Sequence, residues 1–168
     1  MSLTDAQIDR YSRQIIVPHI GGRGQERLLA ARILLCGDAR DIEAPLAYLV
    51  GAGVRSISLK PSTDHFDLAL SLIGSVDARK IAEEIANDSD VRALVIARLD
   101  EPGKILVIPD AHEAGTIAAG FGTRAEAADF IAMVATAEAF KLIAGYAENP
   151  SRATIEFDGY ATRVRVNP

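Results

Sequence analysis

A chain of 168 residues that is 49% hydrophobic and 24% charged is long enough to bury a sizeable core within one soluble domain. Its net charge of −5 argues against a nucleic-acid partner, because phosphate contacts need a basic surface. No apolar run approaches the ~20 residues of a membrane helix and the N-terminus does not read as a signal peptide, so no membrane partner and a cytoplasmic location are expected.

The single cysteine, Cys36, excludes an internal disulfide and a cysteine-based zinc site, and it reads as a small core hydrophobe. Thr4-Asp5-Ala6-Gln7 has the form of a capping box and opens a short helix carrying Arg10, Tyr11 and Arg13, which Pro18 stops. Gly21, Gly22 and Gly24 read as a turn. A second short helix follows over Gln25–Ala31 with Leu28 and Leu29 inward. A strand is predicted over Arg32–Cys36 and a helix near Ile42–Ala52. Val54–Leu59 alternates as a strand ended by Lys60-Pro61, and Phe66–Leu72 is a third apolar run. Val76–Ala86 is helical, with Ile81 and Ile85 on one face.

Val91–Ala97 and Lys104–Ile108 are further strands, divided by the turn signal Glu101-Pro102-Gly103. Arg124–Ala144 is the clearest helix. Its solvated stripe is so narrow that burial on more than one face is expected, against the sheet and against a second subunit. Ala153–Phe157, the turn Asp158-Gly159 and Tyr160–Val166 form a terminal hairpin. The basic residues Arg152, Arg163 and Arg165 gather there and read as a solvated strand face. The alternation of strands and helices predicts an α/β, Rossmann-like three-layer fold: a mostly parallel sheet with an antiparallel C-terminal hairpin. One domain over residues 1–168 is expected, with a helical arm over about 1–31.

The segment Ile33–Val54 carries the functional question. An apolar strand runs into Gly37 as in a nucleotide-binding βα unit, but a phosphate cradle needs further glycines there for the backbone to close on the phosphates. The sequence instead reads Gly37-Asp38-Ala39-Arg40-Asp41-Ile42-Glu43. A carboxylate about 7 Å from a phosphate charge repels it by roughly 2 kcal/mol at an effective dielectric near 20. Arg40 offsets only one of Asp38, Asp41 and Glu43. The same residues also suit an ordinary strand-to-helix connection, or acids placed to favour a helix dipole. None of these readings puts a nucleotide there.

Arg10-Tyr11-Ser12-Arg13-Gln14-Ile15-Ile16, Pro18, Gly24-Gln25-Glu26 and Leu28 together resemble the opening of the E1-like activating enzymes, the ThiF/MoeB/HesA group. The likeness continues through Ala31-Arg32 to Gly53-Val54. It returns at Glu113-Ala114-Gly115, at Ala137–Gly145 and in the hairpin from Ile155 to Pro168. The resemblance implies a Rossmann-type fold, dimerisation, and adenylation of the C-terminal glycine of a ubiquitin-like or sulfur-carrier protein with ATP and magnesium. It also implies that Arg13 reaches across a dimer interface toward the partner's ATP phosphates, a role suited to a permanently charged fork.

The departures from the family pattern fall on the chemistry. The family's G-x-G-G-x-G loop keeps only Gly37, and Lys60-Pro61 stands where an acidic residue would meet the ribose. The Asn-Leu-Asn-Arg-Gln segment is missing. Ile73-Gly74-Ser75 replaces the magnesium-binding Thr-Asp-Asn motif, although Arg79 keeps a family arginine. No cysteine lies between Asp90 and Asp110, and Ala111-His112 stands in the region of the first C-x-x-C pair. The expected function is therefore a catalytically inactive E1-like domain acting as a dimerising partner or scaffold, with no cofactor. Its expected partner is itself or an intact E1-like protein, with a ubiquitin-like carrier as a further candidate. Gly37, Asp38, Arg40 and Asp41 are the degenerate nucleotide remnant, and Arg13 is the trans phosphate contact. The alternative is ATP-dependent adenylation of a carrier C-terminus at an atypical site. A dinucleotide oxidoreductase fits poorly with a lone Gly37 and with Lys60. His19, His65 and His112 lack metal-ligand spacing, and Ser62, Asp64 and His65 are sequence neighbours rather than a triad.

Overall fold

The computed structural model describes residues 3–88, 90–99, 103–111, 128–146, 153–157 and 162–166. Helix α1, Asp5–Ile15, starts in the expected capping box, with Thr4 N–H donating to Gln7 Oε1 (2.8 Å) and Gln7 N–H to Thr4 Oγ1 (3.3 Å). Helix α2 spans Gly21–Ala30, so the three glycines are helical rather than a turn. Close packing explains this: a Cβ on Gly24 would lie 3.2 Å from the Ala144 carbonyl oxygen and 3.1 Å from Ile20 Cγ2. Glycine lets α2 lie tightly against the end of the long helix α5, Ala128–Ala144. Of the inward pair, Leu28 is fully buried and Leu29 only partly.

Strand β1, Arg32–Cys36, runs into helix α3, Ala39–Ala52, which starts three residues before the position read from the sequence. Pro45 lies within it, where its missing N–H forgoes a bond to the Asp41 carbonyl. Gly53 ends α3 at φ 105°, the left-handed cap that glycine favours. A Cβ there would come within 2.9 Å of Gln25 Nε2 and 3.0 Å of Tyr11 Cζ. Gln25, fully buried, donates to the Ala52 carbonyl at 3.0 Å. The N-terminal arm is thereby latched onto the end of α3.

The remaining elements are β2 (Ser56–Ser58), β3 (Leu68–Ile73), α4 (Val76–Asp88), β4 (Leu94–Arg98), β5 (Gly103–Ile108), β6 (Ala153–Phe157) and β7 (Thr162–Val166). Glu101, Pro102, Asp158, Gly159, Tyr160 and residues 124–127 lie outside the described residues. The strands form one sheet in the order β2-β1-β3-β4-β5-β6-β7. β2, β1, β3 and β4 are mutually parallel, and β5, β6 and β7 continue antiparallel. This is the anticipated α/β sheet, with β5 joining the antiparallel part.

The sheet has a core on each face. One gathers Leu28, Leu49, Leu70, Val95, Ile105 and Phe140 from α2, α3, α5 and the sheet, and the other packs Ala82 and Ile85 of α4 on Leu34, Ala69 and Ile96. Helix α5 lies on β3, β4 and β5 and is flanked by α2 and α3. Helices α2 and α3 of its own chain thus supply its second buried side. Among the described residues no helix is long and apolar enough to cross a membrane.

Candidate functional site

β2 and β3 lie on opposite sides of β1, so the connections leave in opposite directions and a crevice opens at the C-terminal ends of β1 and β3. In open α/β sheets this switch point is where ligands bind. Gly37 and the start of α3 form one wall; Gly74, Ser75 and the start of α4 form the other. Gly37 is closely packed: a Cβ would sit 3.0 Å from Ile42 Cγ2 and 3.1 Å from the Leu72 carbonyl oxygen.

The acidic side chains at this crevice take three separate courses. Asp38 is the N-cap residue of α3, yet its side chain makes no capping bond. Its Oδ1 instead accepts from Ser75 Oγ at 3.2 Å, tying the two walls together. The same serine oxygen accepts from Ala78 N–H at 3.2 Å, so Ser75 also caps α4. Asp41, in the first turn of α3, is only 3% exposed. Its Oδ2 lies over Gly74, where an added Cβ would be 2.6 Å away. Glu43 and Arg40 are exposed.

Gly37, Asp38 and Asp41 are therefore brought together with Ser75 and Gly74, while Arg40 points out to solvent. An anion on the first turn of α3 would meet two carboxylates where helix N–H groups would otherwise attract it. The two carboxylates oppose a phosphate anion at this position, though not a cation. Arg79 bonds Glu83 Oε1 through Nε at 2.7 Å on its own helix. Lys60 is exposed beyond β2, where its carbonyl accepts from Ser58 Oγ at 2.8 Å.

Arg13 lies elsewhere. It is exposed in the last turn of α1 and makes no ion pair among the described residues. It rims a cavity of about 390 Å3 shared with Gln14, Val17, Tyr48, Gly51 and Phe140. Tyr48 and Phe140 meet edge to face, with ring centroids 6.1 Å apart. The groove adjoins the C-terminal end of α3. That helix has 14 residues, so Arg13 and Asp38 are separated by roughly 20 Å along it. No single copy of the chain brings them together.

The other candidates are structural. Ser62 Oγ donates to Asp64 Oδ2 at 3.0 Å, while His65 pairs with Asp90 at 3.1 Å and Asp67 at 4.0 Å; no triad forms. His19 packs against Tyr146, and His112 lies outside the described residues. Among the described residues no cluster of His, Cys, Asp and Glu could hold a metal. Cys36 is buried, which pushes its thiol up to about 12 and leaves it unreactive at neutral pH.

No family model matches the chain. It is 37% identical over 106 residues to the probable adenylyltransferase/sulfurtransferase MoeZ of Mycobacterium tuberculosis, covering 60% of this chain and 27% of that protein. It is 36% identical over 115 residues to the adenylyltransferase and sulfurtransferase MOCS3 of Mus musculus, covering 66% of this chain and 23% of the relative. A 60-residue match to the sulfur carrier protein adenylyltransferase of Thermus thermophilus is 43% identical and covers 35% of this chain and 22% of that one. Over the matched region the chain belongs to the E1-like ThiF/MoeB family. It spans about a quarter of the length of these relatives. The E. coli MccB structure shares the fold, with a TM-score of 0.66 at 12% identity over 98% of this chain and 70% of that one.

Proposed function

We propose that this E1-like domain is non-catalytic and works as a dimerising partner or scaffold, with itself or with an intact family member, in the cytoplasm. The observation that carries the reading is the acid-lined switch point, with Asp38 at its exposed rim and Asp41 buried beneath. The Asp38 carboxylate is joined to Ser75 at 3.2 Å, and the Asp41 carboxylate is packed over Gly74. The residues that latch the arm onto α3, Tyr11, Gln25 and Gly53, are kept. Packing survives where nucleotide chemistry does not.

In this reading the groove of α1, α3 and α5 is the dimer surface, its exposed Val17 and Tyr48 covered by the partner. Arg13, on the rim and too far from its own Asp38 to act in cis, serves a partner's nucleotide. A ubiquitin-like carrier would then dock on the assembly. The second reading, adenylation of a carrier C-terminus, draws on the curated relatives, which are named adenylyltransferases.

Mixing the chain with an intact E1-like adenylyltransferase tests the proposal. The expected result is a heterodimer whose adenylation rate falls when Arg13 is changed to Ala, while dimerisation persists. Indifference of the partner's rate and mass to the added chain, with a monomeric mass for the chain alone, overturns the reading.

A further inference from the structure

The basic residues of the terminal hairpin have no part in the reading above. Across the sheet Arg163 of β7 pairs with Glu156 of β6, and Glu156 pairs in turn with Lys104 of β5. Arg165 lies two residues along β7, on the same face as Arg163. Glu156 is shared between two cations, at 3.3 Å from Lys104 Nζ and 4.0 Å from Arg165 Nη2. Arg163 is exposed and has no ion pair among the described residues. Within a protein of net charge −5, the described residues of this face of β5–β7 thus set Lys104, Arg163 and Arg165 against Glu156 alone.

That margin is also a strand edge. β7 is last in the sheet order, and among the described residues it pairs only with β6. Its outward N–H and C=O groups can template another strand. We propose that β7 is a docking edge for an extended acidic segment of another protein, added to the sheet as a further strand. The partner's carboxylates would stand at alternate positions opposite Arg163 and Arg165. Backbone bonds would supply affinity, and the alternating side-chain pairs would set register and specificity. A second copy of this chain is disfavoured as the occupant, because edge-to-edge pairing of two β7 strands would oppose arginine to arginine. Charged residues on an edge can also serve only to prevent such pairing, and the test separates the two roles.

The probe is a fluorescein-labelled peptide of alternating glutamate and valine, titrated against the 168-residue chain at low salt. The proposal expects saturable binding that weakens at least about tenfold in Arg163→Glu/Arg165→Glu and with lysine in place of glutamate. N-methylation of alternate peptide amides, which removes backbone donors but no charge, should weaken it comparably. Amide resonances of residues 162–166 should shift on titration. Arg163→Gln/Arg165→Gln, checked for folding by circular dichroism, provides a milder variant with the same direction of effect. No saturation at millimolar peptide overturns the proposal. So does equal binding of the N-methylated or lysine peptide, or shifts confined to other residues. Arg13 lies on α1 beside α3 and α5, and the docking residues lie on β7, so Arg13→Ala leaves this binding unchanged whichever way the dimer experiment falls.

Discussion

Changing Gly74 to Ala asks directly whether the Asp41 carboxylate fills the switch point. The new methyl would lie 2.6 Å from Asp41 Oδ2, so the carboxylate must retreat by roughly 0.8 Å to restore van der Waals contact. Asp41 is 3% exposed, and such overpacking costs about 1–3 kcal/mol. Gly74 lies outside the left-handed region, so Ala also narrows the unfolded ensemble and returns about 0.4–1 kcal/mol. The net expectation is a loss of about 1–2 kcal/mol. In the Asp41→Ala background the methyl has room, and the same glycine change should cost nothing or stabilise. The double-mutant cycle should therefore show coupling of at least about 1 kcal/mol, read from urea unfolding followed by circular dichroism. Costs that add to within about 0.3 kcal/mol would refute a carboxylate seated over Gly74.

Three further outcomes follow from the same geometry. Burial raises the Cys36 thiol from 9.0 to about 12, so the unfolded chain loses this proton first; stability conferred by the neutral thiol is full below pH 9 and is lost as pH rises toward 12. The difference between wild type and Cys36→Ala should carry that slope, up to about 1.4 kcal/mol per pH unit, and a pH-independent difference would contradict it. Gly145→Ala drives a methyl into Arg27 Nη1 at a φ of 72°, displacing the guanidinium that caps the Ala144 carbonyl at 3.2 Å. A loss of about 2 kcal/mol or more is expected, and an unchanged melting temperature would count against this contact. Gln25→Ala leaves the Ala52 carbonyl without its donor and should cost about 1–3 kcal/mol, with faster amide exchange in α1 and α2; wild-type exchange there would contradict the latch.

Elements with a strong local signal were legible in the sequence. The Thr4 capping box, the apolar runs of β1, β3 and β4, and the hairpin strands reflect periodicity and turn chemistry, which are local. Gly24 has the look of a turn residue because the sequence does not reveal that its missing Cβ makes room for the Ala144 carbonyl, 120 residues away. The extreme apolarity of α5 shows in the sequence, but that α2 and α3 flank it depends on long-range packing. At the site, the sequence showed that Asp38 and Asp41 stand where glycines would be needed. It did not show where they go, because Ser75 and Gly74 reach them only through the pairing of β1 with β3. Ser75 three residues before Ala78 carried a weak capping signal, the one hint of its role.

Isothermal titration of Mg-ATP into the 168-residue chain tests the central claim most directly. With the Asp38 and Asp41 carboxylates on the first turn of α3, the account predicts no binding, or millimolar binding, in the wild type. Micromolar affinity that is lost on perturbing residues 37 to 43 would contradict it and return the chain to the adenylating enzymes.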